Sequence, residues 1–296
     1  MKLKSKNVFL IFALMLFFNY ISLSFMPKKG LAMPFYDLQP KDIVLRSQFY
    51  TNYGNSTLER KHNIYLASKS LDNTFVDVGA EFSFNRTVGE RTEKRGYRTS
   101  KIIVGGEFVD GVGGGVCQVS TTLYNAVIMS GLRVIEYHPH SLPVSYVAPS
   151  FDAMVNSNFA DLKFINNTHN PIIIRTVADG EKLKVEIYGE ELLEKYIRKS
   201  EILEKIEPPE YEVVLDEKGE FPELYEGDSK IVKYSKEGYK SVGYLITVKN
   251  GKQYAVKKIR TDKYAPVRGK IVYGKAVKEN KNLKILLNGI KNFDFC

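Results

Sequence analysis

The spacing of apolar and polar positions changes period along the chain, and each change marks an element. Over residues 39–52, Ile43, Leu45 and Phe49 alternate with polar positions, which predicts a strand. A turn through Tyr53, Gly54, Asn55, Ser56 and Thr57 leads into residues 58–73. There Leu58, His62, Tyr65, Leu66 and Lys69 recur at helical spacing and predict an amphipathic helix. Residues 82–84 read as a short strand, 85–96 as a polar charged loop, and 101–104 as another strand. The helical period returns over 117–130, with Val119, Leu123, Ala126, Val127 and Ser130 on one face and Gly131 placed to end the helix. Leu132, Val134 and Tyr137, then Val144 and Tyr146, alternate again. Further strands follow at 162–165, 172–176 and 183–188, with turn signals at Asn166, Asn167, Asp179 and Gly180. This order predicts an α+β fold with the second helix packed on an antiparallel sheet.

The last third of the chain has a different rhythm. Residues 190–207 are highly charged, with Leu192, Leu193, Tyr196 and Ile197 at helical spacing, and are expected to form a linker or bridging helix before Pro208 and Pro209. Short strands then recur at 211–215, 230–234, 241–249, 253–259 and 270–273, and no helical pattern interrupts them. Asn250 followed by Gly251 is the strongest hairpin signal in the chain. The expected organisation is a leader or anchor at 1–32, an α+β domain at 33–190, a charged linker at 191–207, an all-β module at 208–276 and a tail at 277–296.

Residues 7–26 carry no charge and follow Lys2, Lys4 and Lys6. The run is long enough to cross a bilayer, and the basic flank predicts a cytoplasmic N-terminus. Gly30, Leu31 and Ala32 also offer a signal-peptide cleavage site. An anchor and a signal peptide both place residues from about 33 onward outside the membrane.

Composition narrows the partners. The net charge is +9, but lysines are spread beside acidic residues, without an arginine-rich block or an aromatic platform. That pattern argues against nucleic acid and, for an exported chain, towards peptidoglycan or an anionic wall polymer. Two cysteines, Cys117 and the terminal Cys296, are too few for a disulfide scaffold.

Cys117 follows Gly113, Gly114 and Gly115 and opens the second predicted helix. A helix N-terminus favours the thiolate, and glycine N–H groups beside it can hold an oxyanion. Gln118, Ser120 and Thr121 lie within a turn of the thiol; Gly114, Gly115 and these three are candidate binding positions. His138 and His140 are candidate bases and Asp152 a candidate orienting carboxylate, because an imidazole must accept the thiol proton and a carboxylate must orient the ring. Arg91, with Arg95 and Arg98 in the same polar loop, either carries solvated charge or grips a carboxylate or phosphate. A buried inert thiol with a merely tight glycine turn, and a binding pocket without chemistry, remain open alternatives. Cys117, His138, His140 and Asp152 also suit zinc, but the spacing is loose and no metal or other cofactor is assigned.

Three runs in this region, residues 82–85, 113–126 and 138–141, together with Asp152, Ala153 and the closing Ile187, Tyr188 and Gly189, resemble the VanW family over roughly residues 40–190. Residues 206–274, with Gly227, Gly238, Gly243, Gly251 and Gly274, resemble a G5 domain. The first resemblance implies a bacterial cell-envelope protein linked by theme to vancomycin resistance; the second implies binding of polysaccharide or wall polymer. In order along the chain, cysteine on a helix, then histidine, then aspartate is similar to transglutaminase-like and papain-like cysteine enzymes. Two functions are therefore expected: a cysteine acyl transferase or hydrolase acting on peptidoglycan, or a non-catalytic wall-binding scaffold.

Overall fold

The computed structural model describes residues 43–275, so residues 7–26 and Cys296 lie outside the described residues. Among the described residues, no helix is long and apolar enough to cross a membrane.

Strand β1 (Val44–Asn52) runs into helix α1 (Leu58–Leu71), whose first turn is capped by the Thr57 side chain. Strands β2 (Thr74–Val76) and β3 (Glu81–Ser83) are followed by the short helix α2 (Phe84–Val88) and a single 3-10 turn, Glu93–Arg95. Strands β4 (Thr99–Val104) and β5 (Glu107–Val112) form a hairpin whose turn is Gly105 and Gly106, both at positive φ. Helix α3 (Val116–Met129) comes next, then β6 (Arg133–Glu136), a long irregular stretch, and β7 (Lys163–Ile165), β8 (Ile172–Ala178) and β9 (Lys182–Gly189).

The main sheet has the order β1-β9-β8-β2, all antiparallel. Leu183, Val185 and Ile187 of β9 and Ile172 and Ile174 of β8 point to one face with no exposed surface. Helix α3 packs on β1 and β9, and α1 packs on β8 and α3. Val119, Leu123, Ala126 and Val127 fill the space between helix and sheet, giving the α+β layering.

Helix α1 forms where the periodicity predicts, but its buried face differs. Leu58 is 75% exposed and Tyr65 is also exposed, whereas Asn63, Ile64, Ala67, Ser68 and Leu71 face inward. The polar members of that face have partners. Asn63 Nδ2 donates to the carbonyls of Arg98 (2.8 Å) and Gly114 (3.0 Å), and Asn63 Oδ1 accepts from the Arg98 N–H (2.8 Å). Hydropathy spacing hides a face built on satisfied polar groups.

Residues 190–207 differ from expectation as well. Residues 195–206 form strand β10 (Lys195–Ile206), paired along its length with β13 (Gly238–Lys249). Its burial alternates from Lys195 to Lys199, and the two-residue period wins because β13 supplies a hydrogen-bonding edge. Strand β13 turns through Asn250 and Gly251, at φ +51° and +75°, into β14 (Lys252–Tyr264), as the hairpin signal predicts. A second sheet joins β11 (Glu212–Leu215), β15 (Lys270–Tyr273) and β12 (Ser229–Lys233) in the order β11-β15-β12.

Strand β10 also docks on the first domain. The Arg198 guanidinium lies over the rings of Phe49 (4.1 Å to the centroid) and Phe151 (4.9 Å) and donates to Asn125 Oδ1 of α3. All of the described residues lie within one compact unit.

Candidate functional site

The glycine run brings Cys117 to the start of α3. Gly115 is the N-cap, at φ +111°, so Cys117 is the second residue of the helix. Gly114 is pressed against β4: a Cβ there would lie 2.6 Å from the Lys101 carbonyl oxygen. The run thus brings the helix N-terminus against the β4–β5 hairpin and α1, which is also where Asn63 grips the Gly114 carbonyl.

His140 follows β6 on an irregular segment rather than on a strand, and residues 144–146 are irregular too. The segment is held by its neighbour: the Met154 N–H donates to the His138 carbonyl (2.7 Å). Both the backbone N–H (2.6 Å) and Nδ1 (2.7 Å) of His140 meet Asp152 Oδ2. That pairing commits Nδ1 to the carboxylate, and the ring and the Cys117 side chain are close enough to shift each other's titration. His140 and Asp152 are both buried, while Cys117 is partly accessible, with Sγ 3.5 Å from the Val155 carbonyl oxygen.

The charges at the three groups reinforce one another. Burial by itself pushes the Cys117 thiol up, but the hydrogen bond and charge of His140, the Val155 backbone and the Arg91 charge outweigh it, and the thiol ends below its ordinary value. Burial lowers His140, yet Asp152 and Cys117 raise it to about 9. Burial raises Asp152, and His140, Arg260 and Tyr264 bring it below the usual carboxylate value. Each of these directions favours the charged form of its group, thiolate, imidazolium or carboxylate.

His138 is elsewhere: its Nε2 lies 3.1 Å from Glu136 Oε1 at the partly exposed end of β6. Arg91 reaches Asn85 Oδ1 and the Gly89 carbonyl (2.9 Å each), and its charge acts on Cys117. Gln118, Ser120 and Thr121 are engaged within the fold. Gln118 donates to Thr51 Oγ1 and the Asn52 carbonyl and accepts from Arg60, tying α3 to β1 and α1. Ser120 donates to the Ala153 carbonyl (2.5 Å), and Thr121 Oγ1 accepts from the Ala153 N–H (2.9 Å). These two hydroxyls lock the Asp152 segment onto the cysteine helix.

Sequence reasoning misses three residues here. Tyr146 lies near Cys117 and Asp152; burial, then the two negative groups, push its hydroxyl up. Arg260 and Tyr264, on β14, reach Asp152 from the other module. Their only signal is the alternation of Arg260, Asp262 and Tyr264 along one face of a strand, and a two-residue period does not say which face is covered.

An α+β domain that presents a helix-terminal thiol to a buried histidine–carboxylate pair, followed by an all-β module, defines a two-module protein with a cysteine-centred site. The chain carries a VanW-like domain, matched over residues 59–188, and a G5 domain, matched over residues 201–276. It is 41% identical over 152 residues to the Bacillus subtilis protein YoaR, covering 51% of this chain and 50% of that one. It is 27% identical over 133 residues to the vancomycin B-type resistance protein VanW of Enterococcus faecalis, covering 43% of this chain and 48% of that one. The chain thus spans about half the length of these curated relatives. Among solved structures, the G5 domain of an IgA1 protease is 24% identical, covers 28% of this chain and 94% of its own, and has a TM-score of 0.18.

Proposed function

We propose that Cys117, His140 and Asp152 act as nucleophile, base and orienting carboxylate in acyl transfer or hydrolysis on amide bonds of peptidoglycan peptides. The observation that carries this reading is the buried His140 ring, held by Asp152 on Nδ1 beside the Cys117 thiol, whose charge it favours. The thiolate attacks the carbonyl carbon of a bound amide, forming a C–S bond while the carbonyl electron pair moves to oxygen. When that adduct collapses, the C–N bond breaks and the imidazolium gives its proton to the leaving amine. Water or an acceptor amine then attacks the thioester and passes a proton to His140. The C–S bond breaks and the thiolate–imidazolium pair is restored. The positive end of the α3 dipole favours the developing oxyanion, and Arg91 neutralises an acidic group of the substrate.

The chain works outside the cytoplasmic membrane, tethered or released through residues 1–32, and the β module holds it to peptidoglycan or an anionic wall polymer. The +9 charge supports an anionic partner, and a vancomycin-resistance protein among its relatives supports a wall setting. The test is incubation with purified muropeptides, analysed by mass spectrometry. The parent should hydrolyse or join peptide stems, and Cys117→Ser should do neither. If Cys117 resists iodoacetamide until the protein is denatured, and Cys117→Ala matches the parent in stability, the reaction is ruled out. The chain is then a wall-binding scaffold.

A further inference from the structure

We propose that Arg260 and Tyr264 of the β module are positioning residues for the cysteine site, so that the second module completes the first one's chemistry. The inference rests on the reading of Cys117, His140 and Asp152 as a working set.

Asp152 is 1% exposed, and its two oxygens face different domains. Oδ2 takes both His140 bonds. Oδ1 accepts from the Tyr264 hydroxyl (2.5 Å) and from Arg260 Nη2 (3.3 Å), and the Asp152 main-chain carbonyl accepts from Arg260 Nη1 (2.6 Å). Each of these two partners is itself held. The Tyr264 oxygen accepts from the Ser150 N–H (2.8 Å), which directs its own proton towards Asp152. Arg260 Nε donates to Asp262 Oδ2 (2.6 Å), and the guanidinium lies over the Tyr137 ring, 4.6 Å from the centroid.

A carboxylate buried this completely persists only if paired and hydrogen-bonded, because removing one partner leaves an uncompensated charge. The imidazolium supplies one partner, and the β module supplies the positive charge and the hydroxyl on the other oxygen. Close approach is built into the backbone: a Cβ at Gly243 of β13 would lie 2.8 Å from the Ser150 carbonyl oxygen. The Ser150 and Ser241 hydroxyls, 2.8 Å apart, and the bond from the Ala265 N–H to the Ser141 carbonyl (2.9 Å) close the same seam on either side of Asp152. Arg260 and Tyr264 do not act on the thiol directly; they act through Asp152 and His140. Arg91 and Tyr146, both from the first domain, also share charge interactions with Cys117.

The test uses the full chain with two readouts. The first is the pH midpoint of Cys117 alkylation. The second is the NMR titration of His140 in a Cys117→Ala background, where only four histidines need assignment. Tyr264→Phe, which changes little volume, and Arg260→Gln leave the Asp152 charge less compensated and should raise the His140 midpoint. Each should shift the alkylation midpoint by about one unit, a roughly tenfold change in thiolate at a fixed lower pH. Arg260→Lys should recover part of each shift. If the parent thiol proves unreactive but the His140 midpoint still rises in both variants, the positioning role stands without the reaction. If both variants fold and neither midpoint moves, the β module merely packs against the site and the inference is overturned.

Discussion

His138 and His140 are separated by one proline, yet they meet different chemistry. The first sits beside Glu136 at the end of a strand, and the second is clamped to Asp152 and raised in part by the Cys117 charge. This difference sets the expected pH behaviour. Cys117 titrates below the ordinary thiol, so alkylation should rise with pH earlier than for a free thiol and then stay high. In the proposed reaction turnover needs the imidazolium as acid and should fall again as pH rises through about 9, where His140 loses its proton. A bell-shaped turnover profile sharing only its acid limb with alkylation is the expected result; identical profiles would remove His140 from the acid role. The linkage signs also follow. His140, raised in the fold, stabilises below about pH 6.5 and loses that contribution through about 9, whereas the lowered Cys117 contributes above about 8.5 and loses it as pH falls. As pH rises between those limits the His140 contribution falls while the Cys117 contribution grows, so the two oppose each other.

Gln118 makes the opposite case at the same scale. Its amide bonds to Thr51, Asn52 and Arg60 spend it on structure, so Gln118→Ala should cost about 1–3 kcal/mol in urea unfolding. Alkylation of Cys117 in that variant should keep the parent's pH midpoint; a shifted midpoint would return Gln118 to the site.

At the level of elements, the glycine run and β10 carry the consequences. Gly114 lies where a side chain would strike the backbone of β4, so Gly114→Ala must displace either the hairpin or the start of α3. The expected result is a loss of about 1–3 kcal/mol together with slower Cys117 alkylation, read on the same samples. Unchanged reactivity at reduced stability would mean the helix start moves independently of the glycine loop. Strand β10 behaves as part of the β module, because β13 hydrogen-bonds it along its whole length. A piece spanning residues 191–275 should therefore give dispersed amide resonances. A piece starting at 208 leaves the β13 edge bare and should unfold or associate. Equal stability of the two pieces would show that β10 adds nothing to the sheet.

Across the whole molecule, the notable arrangement is a buried ionic cluster shared by both modules. Asp152 with His140 comes from one, and Arg260 with Asp262 and Tyr264 from the other. Arg198, over Phe49 and Phe151, adds a second seam. Cutting the chain at residue 190 would leave Asp152 without Arg260 and Phe49 without its stacked cation. A first domain expressed alone should unfold at lower urea than the full chain, as followed by tyrosine fluorescence. Equal midpoints would mean the seams contribute no stability.

The sequence by itself determined the elements whose signal is local. The Asn250 and Gly251 turn needs left-handed backbone, Gly131 ends α3 at φ +77°, and the apolar face of α3 repeats every three to four residues. It also placed a thiol beside glycines at a helix start, since those residues are adjacent in the chain. Only the tertiary structure decided what depends on a distant edge or face. Residues 195–206 became a strand because β13 was there to pair, α1 turned its polar Asn63 face inward because Arg98 and Gly114 satisfied it, and His140 rather than His138 met Asp152. The partners of Asp152 in the second module lie 108 and 112 positions away, and no local period encodes an ionic contact across such a separation.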